Sequence, residues 1–111
     1  MNNLTKTLTV KRSTFITNWS YKSKDGSTVT GTQNNQRLQL IDEDGMTYSE
    51  TCTEIGRGDC IVNKCGWVLV RVSDDKIIET GWTVNEKSIS RKWFKGLVKE
   101  GTHVVLIGRL V

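Results

Sequence analysis

Apolar and polar positions alternate along most of this chain, and that period-two pattern predicts strands. In residues 4–11, Leu4, Leu8 and Val10 share one side while Thr and Lys fill most other positions; residues 14–21 continue in β-prone side chains. Asp25-Gly26, inside Lys24–Ser27, tolerates the positive φ of a tight turn and predicts a hairpin into 28–32 and then 37–41. Asp42–Gly45 repeats this turn chemistry and leads into 46–52. Gly56–Asp59 reads as a loop and 60–62 as at most a short strand. In 67–72, Trp67, Leu69 and Arg71 face one way while Val68, Val70 and Val72 face the core; a turn at Ser73–Asp75 then opens 76–82.

One segment has a different period. Between Asn85 and Lys99 the apolar residues Ile89, Trp93, Phe94, Leu97 and Val98 form a helical stripe. Asn85 or Ser88 can cap its start, Gly101 suits its left-handed end, and Lys95 and Lys99 complement the dipole in the last turns. On this pattern Trp93 and Phe94 are core residues. A final strand follows over 102–111. With no proline, internal repeat or low-complexity linker, the 111 residues read as a single domain. Long hairpins, one helix near residues 86–99 and a closing strand predict a mainly β fold: a small barrel or strongly curved sheet, in which closure removes exposed edges.

Charge refines this outline. The net charge of +4 divides into +5 over residues 1–41, −6 over 42–86 and +5 over 87–111. First and last segments folded side by side would make a positive face that attracts a polyanion; the bland alternative is that these charges solvate outer strand faces. No apolar run of membrane-spanning length occurs, and the first residues carry no leader signature. The odd number of cysteines, Cys52, Cys60 and Cys65, argues against a disulfide framework, so a reducing, cytoplasmic setting is expected.

A single-strand binder needs cations that follow phosphates and flat rings on which bases stack. Trp19 and Tyr21 alternate on one face of the first hairpin close to Lys22 and Lys24, and Trp67 shares a face with Arg71. These are the candidate stacking clusters; the competing reading is cross-strand packing. Arg12, Lys22, Lys24, Arg37 and Arg71 are the cations assigned to phosphates, with Lys11 next, whereas Lys92, Lys95 and Lys99 read as the solvated side of the helix. Trp82 fits either role. A zinc set of Cys52, Cys60, Cys65 and His103 lacks a Cys-x-x-Cys pair, and buried thiols explain the cysteines more simply. Asp42, Glu43 and Asp44 read as turn residues, His103 as a strand edge, and Arg57-Gly58-Asp59 as coincidence. No phosphate loop, nucleophile elbow or paired histidine motif occurs, so no catalytic residue, metal or cofactor is assigned.

Trp93 to Leu110, with a helix, a Lys-x-Gly turn at Lys99-Glu100-Gly101 and alternating apolar residues closing on Gly108-Arg109-Leu110, resembles the connecting helix and fourth strand of OB-fold single-stranded-DNA-binding proteins. The similarity covers fewer than twenty of the 111 residues. The layout from Val10-Lys11 through a basic hairpin to Leu38–Asp42 is similar to the opening of filamentous-phage single-strand-binding proteins, which are small OB-like barrels that dimerise. A bacterial member continues past its Gly-Arg-Leu strand into a fifth strand and an acidic tail, whereas this sequence stops at Val111, so a non-standard strand arrangement is expected. The resemblance implies an OB-like, non-enzymatic binder of single-stranded nucleic acid, DNA above RNA, of phage or plasmid type and able to form a homodimer. The residues alone also leave open a protein-binding inhibitor or assembly subunit of a mobile genetic element, docking on a host protein.

Overall fold

Strands form where the alternation predicts them, but several merge. In the computed structural model, which describes residues 2–55 and 65–110, predicted strands 4–11 and 14–21 become one strand, β1 (Leu8–Lys22), and 28–32 and 37–41 become β2 (Thr28–Asp42). They pair antiparallel without a register break, from Leu8 opposite Asp42 to Lys22 opposite Thr28. Gly26 takes φ +87°, its N–H donating to the Ser23 carbonyl, while Ser23 N–H donates to Ser27 and closes the ladder. The Ser23 and Ser27 hydroxyls and the Ser27 N–H converge on the Asp25 carboxylate and hold its pKa at about 2. Leu4 lies outside the strand, in a 3-10 turn (Asn3–Thr5) tied down by Asp75, whose carboxylate accepts from Asn3 N–H at 2.6 Å.

Gln33–Gln36, poor in β propensity, stays extended because its side chains find partners. Asn35 Nδ2 donates to Thr17 Oγ1 at 3.1 Å, Gln33 Nε2 to Asn35 Oδ1 at 2.6 Å, and Gln36 Nε2 to Thr53 Oγ1 at 3.0 Å. Asn35 and Gln36 are buried, so these bonds remove a desolvation cost of about 1–3 kcal/mol per group.

The second Asp-Gly turn, with Gly45 at φ +85°, leads to β3 (Thr47–Ile55). After residues 56–64, which contain the expected loop and the 60–62 strand and lie outside the described residues, come β4 (Cys65–Arg71), β5 (Lys76–Thr83) and β6 (His103–Leu110). The six strands form one sheet in the order β3-β2-β1-β6-β4-β5. All neighbours are antiparallel except β1 and β6, which run parallel and, among the described residues, pair through Thr9–Arg109 and Val10–Leu110.

The sheet curls over a core of Leu8, Val10, Leu38 and Leu40 packed on Val68 and Val70. Leu40 fits because it faces two glycines: a Cβ on Gly66 would stand 2.9 Å from its Cδ1, and Gly108 lies as close. Curling brings the edge strands together, and Trp82 Nε1 of β5 donates to Ser49 Oγ of β3 at 2.9 Å. No ladder joins β3 to β5 among the described residues, so the expected barrel is a curved sheet left unclosed. A second core, Trp67 and Leu69 against Ile89 and Phe94, covers the outer side of β4. Burial on both faces explains the continuous apolar run of β4. Val72, expected in the core, lies beyond the strand end and is exposed.

The single helix over 85–99 is corrected to two short pieces, a 3-10 helix (Glu86–Arg91) and α1 (Lys95–Lys99), split by extended backbone at Lys92. Asn85 provides the cap, accepting from Ser88 N–H at 3.2 Å, and Gly101 at φ +82° ends α1 as expected. Ile89 and Phe94 must both reach the second core, yet five residues apart on one continuous helix they would diverge by about 140°. Breaking at Lys92 turns Phe94 inward and leaves Trp93, expected in the core, 64% exposed.

Candidate nucleic-acid interface

β6 ends at Leu110 beside Val10, but β1 runs on to Lys22. β3 accompanies β2 only as far as Ile55, opposite Asn34. Beyond these points, among the described residues, Thr17–Lys22 and Thr28–Gln33 pair only with each other as a two-stranded ribbon, about 20 Å long at the usual strand rise. This arm gives the molecule its 63 × 29 × 23 Å extents and a radius of gyration of 18.4 Å, where a compact chain of this size has roughly 13 Å.

Alternation divides the arm into two faces. Phe15, Thr17, Trp19 and Tyr21 share one with Val29, Gly31, Gln33 and Asn35 of β2; Arg12, Thr14, Ile16, Asn18, Ser20 and Lys22 lie on the other. Trp19 sits directly opposite Gly31, and its six-membered ring fills the space a side chain there would need, with Cε2 2.6 Å from where a Cβ would be. The indole therefore crosses the ribbon toward β2. Tyr21 stacks beside it, ring centroids 6.1 Å apart and planes 14° from parallel. Both remain open to solvent, Trp19 at 44% and Tyr21 at 57% exposure. Below them the Gln33–Asn35–Thr17 bonds form a polar strip, and at the base Arg37 lies over the Phe15 ring at 5.0 Å.

Lys22 and Lys24 flank the aromatic pair at the tip, with Lys11 and Arg12 toward the base. Against Asp25 they leave a net +3 on residues 11–33. Lys22 and Arg12 emerge on the face opposite the rings, so they meet a strand lying over Trp19 only around the ribbon's edge, whereas Lys11 shares the aromatic face. Arg37, on that face too, is already committed: its Nε meets Glu50 Oε1 at 2.8 Å.

Two of the residues singled out in the sequence lie elsewhere. Trp67 is 3% exposed, closed over by Phe94 at 5.0 Å and by Lys92 Nζ at 5.7 Å from its ring, and has no face to offer a base. Arg71 pairs with His103, six residues back along β6 from Arg109, which places it about 20 Å from the arm's root. There it makes a two-pronged contact to Asp74, at 2.9 and 2.6 Å, that holds the pKa of that carboxyl at about 2. Trp82 is half-buried by its bond to Ser49.

Other candidate chemistry resolves into structure. Asp42 is buried, its Oδ1 accepting from the N–H groups of Asp44 at 2.9 Å and Met46 at 3.0 Å, and its Oδ2 from Tyr48 at 2.9 Å and Lys6 at 3.3 Å. Burial raises the carboxyl's pKa, but these bonds outweigh it and hold the group below its usual range. Glu43 accepts from Thr7 N–H at 2.8 Å, so this acidic turn anchors the N-terminal segment. Cys65 lies at the Arg109 end of β6 and His103 at the other, and no metal-binding cluster occurs among the described residues. Burial pushes the Cys65 thiol up. Cys60 and Arg57-Gly58-Asp59 lie outside the described residues.

Ile16, Gly31 and the Gln33–Asn35–Thr17 strip carry no signal that singles them out in the sequence as functional. Gly31 is nonetheless legible there, because a hairpin centred on Asp25 sets residues opposite when their numbers sum to 50, as 19 and 31 do. No described helix is long and apolar enough to cross a membrane. Comparison with known proteins finds no matching family model, no matching curated protein and no matching solved structure.

Proposed function

We propose that the protein binds single-stranded nucleic acid, without catalysing a reaction, along the aromatic face of the β1–β2 arm. The observation that carries this reading is the near-parallel pair of exposed rings, Trp19 and Tyr21, on a ribbon that extends beyond the core, with a net +3 over residues 11–33. Rings packed for stability belong under other residues, as Trp67 does; these two face solvent. Each base stacked on such a ring contributes about 1–3 kcal/mol whatever its identity, and Lys11, Arg12, Lys22 and Lys24 lie within reach of a backbone threading past them. An OB-like relationship belongs to the same proposal and is supported by the curled sheet, whose edges meet through Trp82 and Ser49.

Titration with oligo(dT) at two salt concentrations tests it. Trp93 is also exposed, so the emission is read in a Trp93→Phe background. Quenching is expected, with log affinity falling against log salt at a slope of roughly −3 for four phosphate contacts. Trp19→Ala should then cost about 5- to 150-fold in affinity, the equivalent of one stacked base. If the surface instead docks on a protein, no quenching appears at physiological salt and Trp19→Ala leaves the protein's behaviour toward oligonucleotides unchanged.

A further inference from the structure

β6 alternates between the two cores. Val104 and Leu106 point into the first, while Val105 and Ile107 pack against the second. The layer over Val105 and Ile107 is interrupted, because the backbone is extended at Lys92 between the 3-10 helix (Glu86–Arg91) and α1. Between these two pieces and β6 lies a cavity of about 380 Å³. Ile89 and Phe94 are buried on its inner side, whereas Val98, Val105 and Ile107 line it and are only half-buried.

The rim carries uncommitted charge of one sign. Lys95 and Lys99, four residues apart and so on the same side of α1, both border the cavity, and neither forms an ion pair among the described residues. The carboxylate on the rim, Glu86, is already engaged by Arg109. An apolar hollow with two unpaired ammonium groups at its mouth complements a molecule with an apolar body and an anionic head. Its volume lies toward the lower end of the roughly 300–1,000 Å³ found for small-ligand sites. A stable protein partner would cover about 800 Å² of this surface, yet the neighbouring Lys87, Arg91 and Glu100 are exposed charges and the apolar contact ends at the hollow. The occupant is therefore no larger than the cavity.

We propose that this cavity binds a small amphiphilic carboxylate, with its aliphatic chain against Val98, Val105 and Ile107 and its carboxylate between Lys95 and Lys99. The site is independent of the nucleic-acid reading. Arg109 lies opposite Thr9 and the cavity lies behind it at Ile107, whereas Trp19 stands roughly 30 Å ahead of Thr9 at the usual strand rise. Either site can fail without the other.

Calorimetric titration with hexanoate, octanoate and decanoate, kept below micelle-forming concentrations, tests the site. One-to-one binding is expected, tightening by up to about fourfold for each methylene buried. Lys95→Ala with Lys99→Ala should weaken decanoate binding about two- to thirtyfold, the equivalent of two exposed ion pairs, and should behave as the parent toward oligo(dT). Both lysines are exposed, so this variant keeps the fold. Lys95→Glu with Lys99→Glu should lose decanoate and take up decyltrimethylammonium, and Val98→Trp should fill the hollow and exclude both. No saturable binding at any chain length, equal affinity for hexanoate and decanoate, decanoate binding unaltered in the lysine variants, or equal uptake of decyltrimethylammonium by the parent would each overturn the proposal. So would capture of an acidic, leucine-bearing peptide by a chain that ignores decanoate, which would assign the hollow to a protein partner.

Discussion

Trp19 and Trp67 each lie across a glycine of the neighbouring strand, Gly31 and Gly81. A Cβ built on either glycine would stand 2.6 Å from Cε2 of its indole, too close for the ring to stay where it is. The two rings respond differently, because different surroundings hold them. Trp67 is closed over by Phe94 and Lys92, so Gly81→Ala must push the ring into the second core. Overpacking of that kind costs about 1–3 kcal/mol, and each kcal/mol lowers Tm by roughly 4–8 °C in a domain near this size. Trp19 has solvent above it and can swing away. For Gly31→Ala, the packing lost on the ribbon is offset by the smaller unfolded-state entropy of alanine, about 0.4–1 kcal/mol, leaving a net change within about 0.5 kcal/mol. Urea unfolding followed by far-ultraviolet circular dichroism separates the two, since stability changes move the midpoint while the slope stays fixed. Equal losses, or a larger loss for Gly31→Ala, would refute the view that Trp67 is a core residue and Trp19 is not. In the same two variants, Gly31→Ala should weaken oligonucleotide binding by turning the indole, and Gly81→Ala should leave it unchanged once the protein is folded.

Leu40→Ala should destabilise by about 2–5 kcal/mol in urea, because Leu40 is fully buried where Gly66 and Gly108 leave room for it and nothing can collapse into the void. Lys22→Ala with Lys24→Ala should flatten the salt dependence of oligonucleotide binding by roughly 1.4 in slope, while Lys95→Ala with Lys99→Ala should leave it unchanged. Asp42 has a folded pKa below its ordinary 3.8, so its contribution is full above that value and is lost as the pH falls through the depressed one. Asp42→Asn should therefore melt below the parent at pH 7, with the gap narrowing under about pH 4 as the parent's carboxylate protonates; a gap independent of pH would contradict this account.

Turn chemistry and period-two alternation are local, and both are legible in the sequence. Asp25-Gly26 and Asp42–Gly45 stand at the two turns that build the β1–β2–β3 meander, with both glycines at positive φ. Strand ends are harder to place. Gln33–Gln36 has no local preference for a strand, and it is kept extended by its ladders to β1 and β3 and by the bonds from Asn35 to Thr17 and from Gln36 to Thr53. The expected single helix fails for a related reason. The stripe from Ile89 to Val98 has helical spacing, but the floor it must cover, Trp67 and Leu69, requires Ile89 and Phe94 on one side. The acidic middle segment, without an evident role in the sequence, becomes a set of ties to the N-terminal residues, Asp42 to Lys6, Glu43 to Thr7 and Asp75 to Asn3. Those partners lie 36 to 72 residues apart in the chain and leave no local signal.

The sequence by itself determined that this is a mainly β chain with an Asp-Gly hairpin carrying Trp19 and Tyr21 on one face among basic residues. Period-two alternation and the positive φ that glycine tolerates are properties of a few adjacent residues. Which aromatics are exposed was decided only by the tertiary structure. Trp19 and Trp67 share the same local setting, an indole in a strand opposite a glycine, yet one is 44% exposed and the other 3%. The difference is the layer above them: Ile89 and Phe94 fold back over β4, while among the described residues β1 outruns β6 and β3 and its far half has no layer over it. Burial is set by what arrives from elsewhere in the chain, and so the projecting arm exists only once six strands have taken their order.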